Sequence, residues 1–120
     1  MANILIIDDS RTSRKVLKNL LEADGHKIIA EAVNGEDGFK KYEEFKPDIV
    51  TMDITMPVMD GIEALKVIRE FDANAKVIMV TAAGQANKMR EAIEYGATDF
   101  LAKPFEPEQI TEIIRRVDSL

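Results

Sequence analysis

Five short apolar runs, each too brief for a helix, alternate along the chain with longer stretches of helical periodicity. Asn3 to Ile7 is the first, and its four branched residues in succession predict a strand covered on both faces. Lys27 to Ala32, Ile49 to Met52, Lys76 to Val80 and Asp99 to Ala102 are the others. Between them the spacing predicts a helix from about Arg11 to Ala23, with Val16, Leu17, Leu20 and Leu21 on one face and Asp24-Gly25 as its stop. Asn34-Gly35 turns the chain into a second helix carrying Phe39, Tyr42 and Phe45, which Pro47 separates from the third strand. Past a loop flanked by Pro57 and Gly61, a third helix carries Ile62, Leu65 and Ile68. Asn87 to Tyr95 supplies Met89, Ala92 and Ile93 before Gly96, and the last helix presents Ile110, Ile113, Ile114 and Val117 after Pro107. Such alternation implies an α/β fold, a parallel sheet with helices on both faces and right-handed crossovers. Ligands then bind beyond the carboxyl ends of the strands. No linker, repeat or low-complexity tract interrupts the pattern, so residues 1–120 read as a single domain.

The 22 Asp plus Glu outnumber the 16 Lys plus Arg, for a net charge of −6. That balance disfavours nonspecific attraction to nucleic acid and to anionic membranes. No apolar run approaches the roughly 20 residues that cross a bilayer, and Met1-Ala2-Asn3 leads into a strand without a signal-peptide pattern. A cytoplasmic protein is expected. The chain has no cysteine and one histidine, His26, which excludes thiolate chemistry, disulfides and soft-metal sites.

The residues that end the runs carry the chemistry. The first run closes on Asp8-Asp9, the third on Asp53, the fourth on Thr81 and the fifth on Lys103-Pro104. If the first and third strands are neighbours, roughly 4.8 Å apart, the three carboxylates can share one ion. Magnesium suits them, because it favours oxygen ligands and takes one or two carboxylates with phosphate and water. Without a cation, three close anions push at least one carboxyl pKa upward. Taken singly, each residue has a plainer reading. Asp8-Asp9 is then a helix N-cap with dipole-compatible acids, Asp53 a loop acid, Thr81 an ordinary strand residue and Lys103 an exposed lysine. Taken together they form a magnesium-dependent phosphoryl site. Asp53 is the candidate nucleophile, able to form an aspartyl phosphate; Thr81 can donate to a phosphoryl oxygen, and Lys103 supplies a point charge. The Lys103-Pro104 bond is a candidate cis peptide.

In order and spacing, Asp8-Asp9, Asp53, Met56-Pro57 with Asp60-Gly61, Thr81-Ala82 and Lys103-Pro104-Phe105 resemble the receiver domain of two-component response regulators. The resemblance runs the length of the chain, and extends to the stand-alone receivers of chemotaxis. It implies a flavodoxin-like fold with strand order 2-1-3-4-5, an order carried over from the family. It also implies a phosphorylation-activated switch rather than an enzyme, with Asp53 taking its phosphoryl group from a phosphohistidine on a sensor histidine kinase. Asp9, Asp53 and the backbone carbonyl of Thr55 are the implied Mg2+ ligands, Asp8 acts through water, and Thr81 and Lys103 contact the phosphoryl oxygens. Phe100 takes the place of a switch aromatic that turns inward as Thr81 moves, core packing being its plainer role. Thr55 and Ala83 match positions that tune attack of water on the aspartyl phosphate. Arg11, Arg14 and Lys15 read as a solvated face beside the pocket, or else as part of a kinase-docking surface. A flagellar motor switch component is the implied target of the face made by the fourth helix, fifth strand and fifth helix, and a monomer is expected.

Several other readings compete. A phosphorelay intermediate passes its phosphoryl group to a histidine-phosphotransfer protein, and a receiver cut from a transcription factor continues beyond Leu120. A magnesium-dependent aspartyl-phosphate phosphatase wants an acid two residues after its nucleophile, where this chain has Thr55. A flavin or dinucleotide carrier wants glycines in the first turn, which here is Asp8-Asp9-Ser10-Arg11.

Overall fold

The computed structural model describes residues 1–120. Strands β1 (Asn3–Ile7), β2 (Lys27–Ala32), β3 (Ile49–Asp53), β4 (Val77–Thr81) and β5 (Asp99–Ala102) alternate with five helices. These are α1 (Arg11–Ala23), α2 (Gly35–Phe45), α3 (Gly61–Phe71), α4 (Ala86–Glu94) and α5 (Pro107–Asp118). Every strand pair is parallel and the order is β2-β1-β3-β4-β5, the flavodoxin-like arrangement. The chain steps from β1 out to β2 and returns past β1 to β3. Its switch point, where ligands bind in such sheets, is therefore the carboxyl edge between β1 and β3.

Side chains alternate across the pleat. Leu5, Ile7, Val50, Met52, Val77 and Met79 pack with Tyr42, Leu65, Ile68 and Ala92 from α2, α3 and α4. Ile4, Ile6, Ile49, Ile78 and Leu101 pack with Leu17, Leu21, Ile110, Ile114 and Val117 from α1 and α5. Each fully buried Ile or Leu contributes roughly 1.5–3 kcal/mol, so sheet burial on both faces holds the helices in place. Thr51, level with Ile6 and Ile78, is 1% exposed and its hydroxyl has no hydrogen-bond partner.

Helix starts are capped by short polar side chains. Ser10, rather than Asp8 or Asp9, caps α1 by accepting from the Ser13 N–H at 3.2 Å. Asn34 accepts from Asp37 N–H at 2.8 Å and Asp60 from Glu63 N–H at 2.9 Å. Pro107 lies in the first turn of α5, where Gln109 accepts from Glu106 N–H at 2.7 Å. Only α4 starts without such a bond or box.

Other details differ from the pattern reading. Val16 is 49% exposed and Ile93 56%, and Phe45 also faces solvent. Helix α1 buries Leu17 and Leu21, and α4 buries Ala92 alone. Apolar periodicity marks a stripe wider than the part the sheet covers. Both β3 and β4 run one residue further than their apolar runs, because the ladder continues through Asp53 opposite Val80 and Thr81 opposite Ala102. Helix α4 begins one residue earlier than its pattern, at Ala86. No helix is long and apolar enough to cross a membrane.

Candidate functional site

Ile7 pairs with Met52 across β1 and β3. The next residues, Asp8 and Asp9, therefore come level with Asp53 at the carboxyl edge. One oxygen from each of the three carboxylates lies within 4.8 Å of the others. Asp8 is 2% exposed, Asp9 lies open to solvent and Asp53 falls between them. Lys103 enters from the β5 side, with Nζ 3.5 Å from Asp8 Oδ2 and 3.6 Å from Asp53 Oδ2. The Lys103–Pro104 peptide bond is cis. Thr81, buried at the end of β4, accepts at its carbonyl from the Lys103 N–H at 2.7 Å.

The backbone around these carboxylates is tightly held. Asp8 Oδ1 accepts from Ser10 N–H at 2.8 Å, and the Asp8 carbonyl accepts from Arg14 Nη1 at 2.8 Å. Arg14 also donates from Nε to Glu31 Oε1 at 3.2 Å. Its side chain is half-buried and bonded rather than freely solvated, which leaves Arg11 and Lys15 as the exposed pair. On the other side, Gly61 N–H donates to the Ile54 carbonyl at 2.7 Å. A Cβ on Gly61 would stand 2.1 Å from the Asp53 carbonyl oxygen, so the start of α3 closes directly onto the backbone of Asp53 and only glycine permits it.

Burial raises the Asp53 pKa above the ordinary carboxylate value, and the Asp8 carboxylate raises it further. Lys103 opposes this, and Asp9 adds a smaller push upward. One ammonium facing three carboxylates leaves room for another cation. The donors are hard oxygens without nitrogen or sulfur, which fits Mg2+.

The remaining residues singled out in the sequence lie around this pocket. Thr55 is exposed two residues past Asp53, and Ala83 is exposed in the loop after β4. Phe100 is half-buried and packs against the core under α2, α3 and α4. A residue the sequence reading left without a role, Gln85, joins the two loops. Its Oε1 accepts from Ala82 N–H and its Nε2 donates to Thr55 Oγ1, both at 2.6 Å. The one signal for it in the sequence is a Gln at a helix start, where Ser, Thr, Asp or Asn is usual.

Residues 4–115 match the family model of the response regulator receiver domain. The chain belongs to the response regulator receiver family. The receiver is similar to chemotaxis protein CheY of Thermotoga maritima, 47% identical over 114 residues that cover 95% of each chain. It is similar also to CheY of Bacillus subtilis, 48% identical over 113 residues and 94% of each chain. A chain of the CheX-CheY-BeF3-Mg+2 complex from Borrelia burgdorferi superimposes on it with a TM-score of 0.91 at 40% identity, covering 96% of this chain and 87% of that one. Receivers bind Mg2+ at an acidic pocket, and the three clustered aspartates form one here. A receiver of this kind is a signalling switch rather than a conventional enzyme.

Proposed function

We propose that this receiver takes a phosphoryl group onto Asp53 from a phosphohistidine of a sensor histidine kinase and changes its partner binding in response, in chemotaxis. The observation that carries the reading is the Asp53 carboxylate, 3.6 Å from Lys103 and clustered with Asp8 and Asp9. An Asp53 oxygen attacks phosphorus. The new O–P bond forms as the N–P bond breaks, and that electron pair returns to the imidazole nitrogen. Lys103 then balances charge on the phosphoryl oxygens, and the Thr81 hydroxyl donates to one of them. Asp9, Asp53 and the Thr55 carbonyl would hold Mg2+, with Asp8 acting through water. When bound, the ion neutralises phosphoryl charge, while positioning by the protein supplies much of the rate.

Thr55 and Ala83 border the approach of water to the aspartyl phosphate and set its lifetime. Phe100 turns inward as Thr81 closes on the phosphoryl group, which alters the face made by α4, β5 and α5. Ile93 of α4 is exposed and offers a partner apolar contact. A partner that prefers the altered face shifts the population toward it. We place a flagellar motor switch component as that target, with residues 1–120 acting as one monomeric cytoplasmic receiver.

The test is treatment with acetyl phosphate, with and without Mg2+, of the wild type and of Asp53→Asn, read by intact mass. A metal-dependent gain of one phosphoryl group in the wild type alone is expected. The same gain in Asp53→Asn overturns the assignment.

A further inference from the structure

Backbone groups along a strand point alternately to its two neighbours. The Thr81 carbonyl is engaged on the β5 side by Lys103 N–H, so Ala82 N–H, one residue on, faces the β3 side. There Asp53 lies level with Val80. The nearby Ile54 carbonyl is already taken by Gly61 N–H. Gln85 Oε1 accepts the Ala82 proton instead, while its Nε2 donates to Thr55 Oγ1. A left-handed turn at Gly84, φ 85°, brings the chain back so that Gln85 can span the two loops. Gln85 also occupies the N-cap position of α4, yet its side chain makes no cap bond, so the first amides of that helix lack a side-chain acceptor. Helix α4 is the shortest of the five and buries only Ala92. One side chain thus ties the rim of the acidic pocket together at the expense of the least anchored helix.

We propose that Gln85 is a positioning residue, a latch that holds the Ala82 amide and the Thr55 hydroxyl together while Asp53 is unmodified. An oxygen of a phosphoryl group on Asp53 displaces it by taking the Ala82 amide. The freed side chain then serves the start of α4, so that the pocket and the helix change state together. This inference rests on Asp53 being the phosphoacceptor. Gln85 itself exchanges its two hydrogen bonds for one at the start of α4, whereas the bond from the phosphoryl oxygen to the Ala82 amide forms with or without the latch. A net intramolecular bond is about a fivefold factor in an equilibrium. Removing the latch should therefore favour the modified state by about that factor.

The experiment compares the wild type, Gln85→Leu and Gln85→Asn by amide NMR, with beryllofluoride and Mg2+ as the non-transferable phosphoryl stand-in. Asn is one methylene shorter and cannot span the loops. In the unmodified protein, both variants should speed hydrogen exchange at the Ala82 amide. On saturation of the wild type, the Gln85 side-chain NH2 resonances should shift as they leave Thr55. Both variants should bind beryllofluoride about fivefold more tightly, one net hydrogen bond being relieved. Static Gln85 resonances, or equal affinity in all three proteins, overturn the latch while Asp53-dependent binding leaves the phosphoacceptor reading standing. A wild type that takes neither beryllofluoride nor a phosphoryl group at Asp53 overturns both.

Discussion

At Asp53, burial and the Asp8 carboxylate raise the carboxyl pKa against the opposition of Lys103. A folded-state value above the unfolded one, about 4, means that the native state favours the neutral form. The group's stabilising contribution is present below the unfolded pKa and is lost as pH rises through the raised folded value. At neutral pH the ionised carboxylate burdens the native state. Asp53→Asn in metal-free buffer should then raise the thermal midpoint, a gain that shrinks on acidification toward about pH 4. Calorimetry across that range checks it, and a lower midpoint at neutral pH contradicts the electrostatic account. Thr51 makes a different case, since its buried hydroxyl has no partner. Thr51→Val keeps the shape and deletes the desolvated oxygen, so urea unfolding should show a gain of about 1 kcal/mol. Asp8, Asp53, Thr81 and Lys103 were legible in the sequence because each ends an apolar run, and strand ends share one edge of a parallel sheet. Gln85 and Arg14 were not. Where a long side chain reaches depends on a loop path, and nothing in residue type or spacing encodes that path.

Among the elements, the start of α3 is the most constrained. The near-collision of a Gly61 Cβ with the Asp53 carbonyl oxygen, 2.1 Å, involves backbone on both sides, so neither can yield without moving the carboxylate. Gly61→Ala should cost about 1–3 kcal/mol of stability, as overpacking does, and should also slow phosphorylation by acetyl phosphate. Denaturant unfolding and intact-mass kinetics measure the two effects, and loss of stability with an unchanged rate separates α3 from the site. At this scale all five strands and all five helices were readable from period and punctuation. Gly25 and Gly96 take positive φ at the helix ends where they were expected. Val16 and Ile93 misled because periodicity reports an apolar stripe, whereas the sheet decides how much of it is covered. The ends of β3 and β4 shifted because polar Asp53 and Thr81 still pair in the ladder.

For the whole molecule, the alternation of elements dictated a parallel sheet, but periodicity does not say which strands are neighbours. The order came from the resemblance to receivers. That order matters, since only with β1 beside β3 do the three carboxylates meet. Mg2+ binding should therefore stabilise the entire fold, by about 2.7 kcal/mol at a hundredfold excess over its dissociation constant. Most of that gain should vanish in Asp53→Asn. Thermal shift against Mg2+ concentration measures it, and equal responses in the two proteins exclude Asp53 as a ligand.

The same topology decides where the chain ends lie. The Met1 amino group stands 3.8 Å from Asp118 Oδ2, and Lys76 Nζ donates to the Leu120 carbonyl at 3.1 Å. Both termini leave from the side of the sheet where strands begin, across a body of 32 × 30 × 28 Å from Asp53. A fluorescent reporter or an appended module can thus be spliced to either terminus and still stand clear of the acidic pocket.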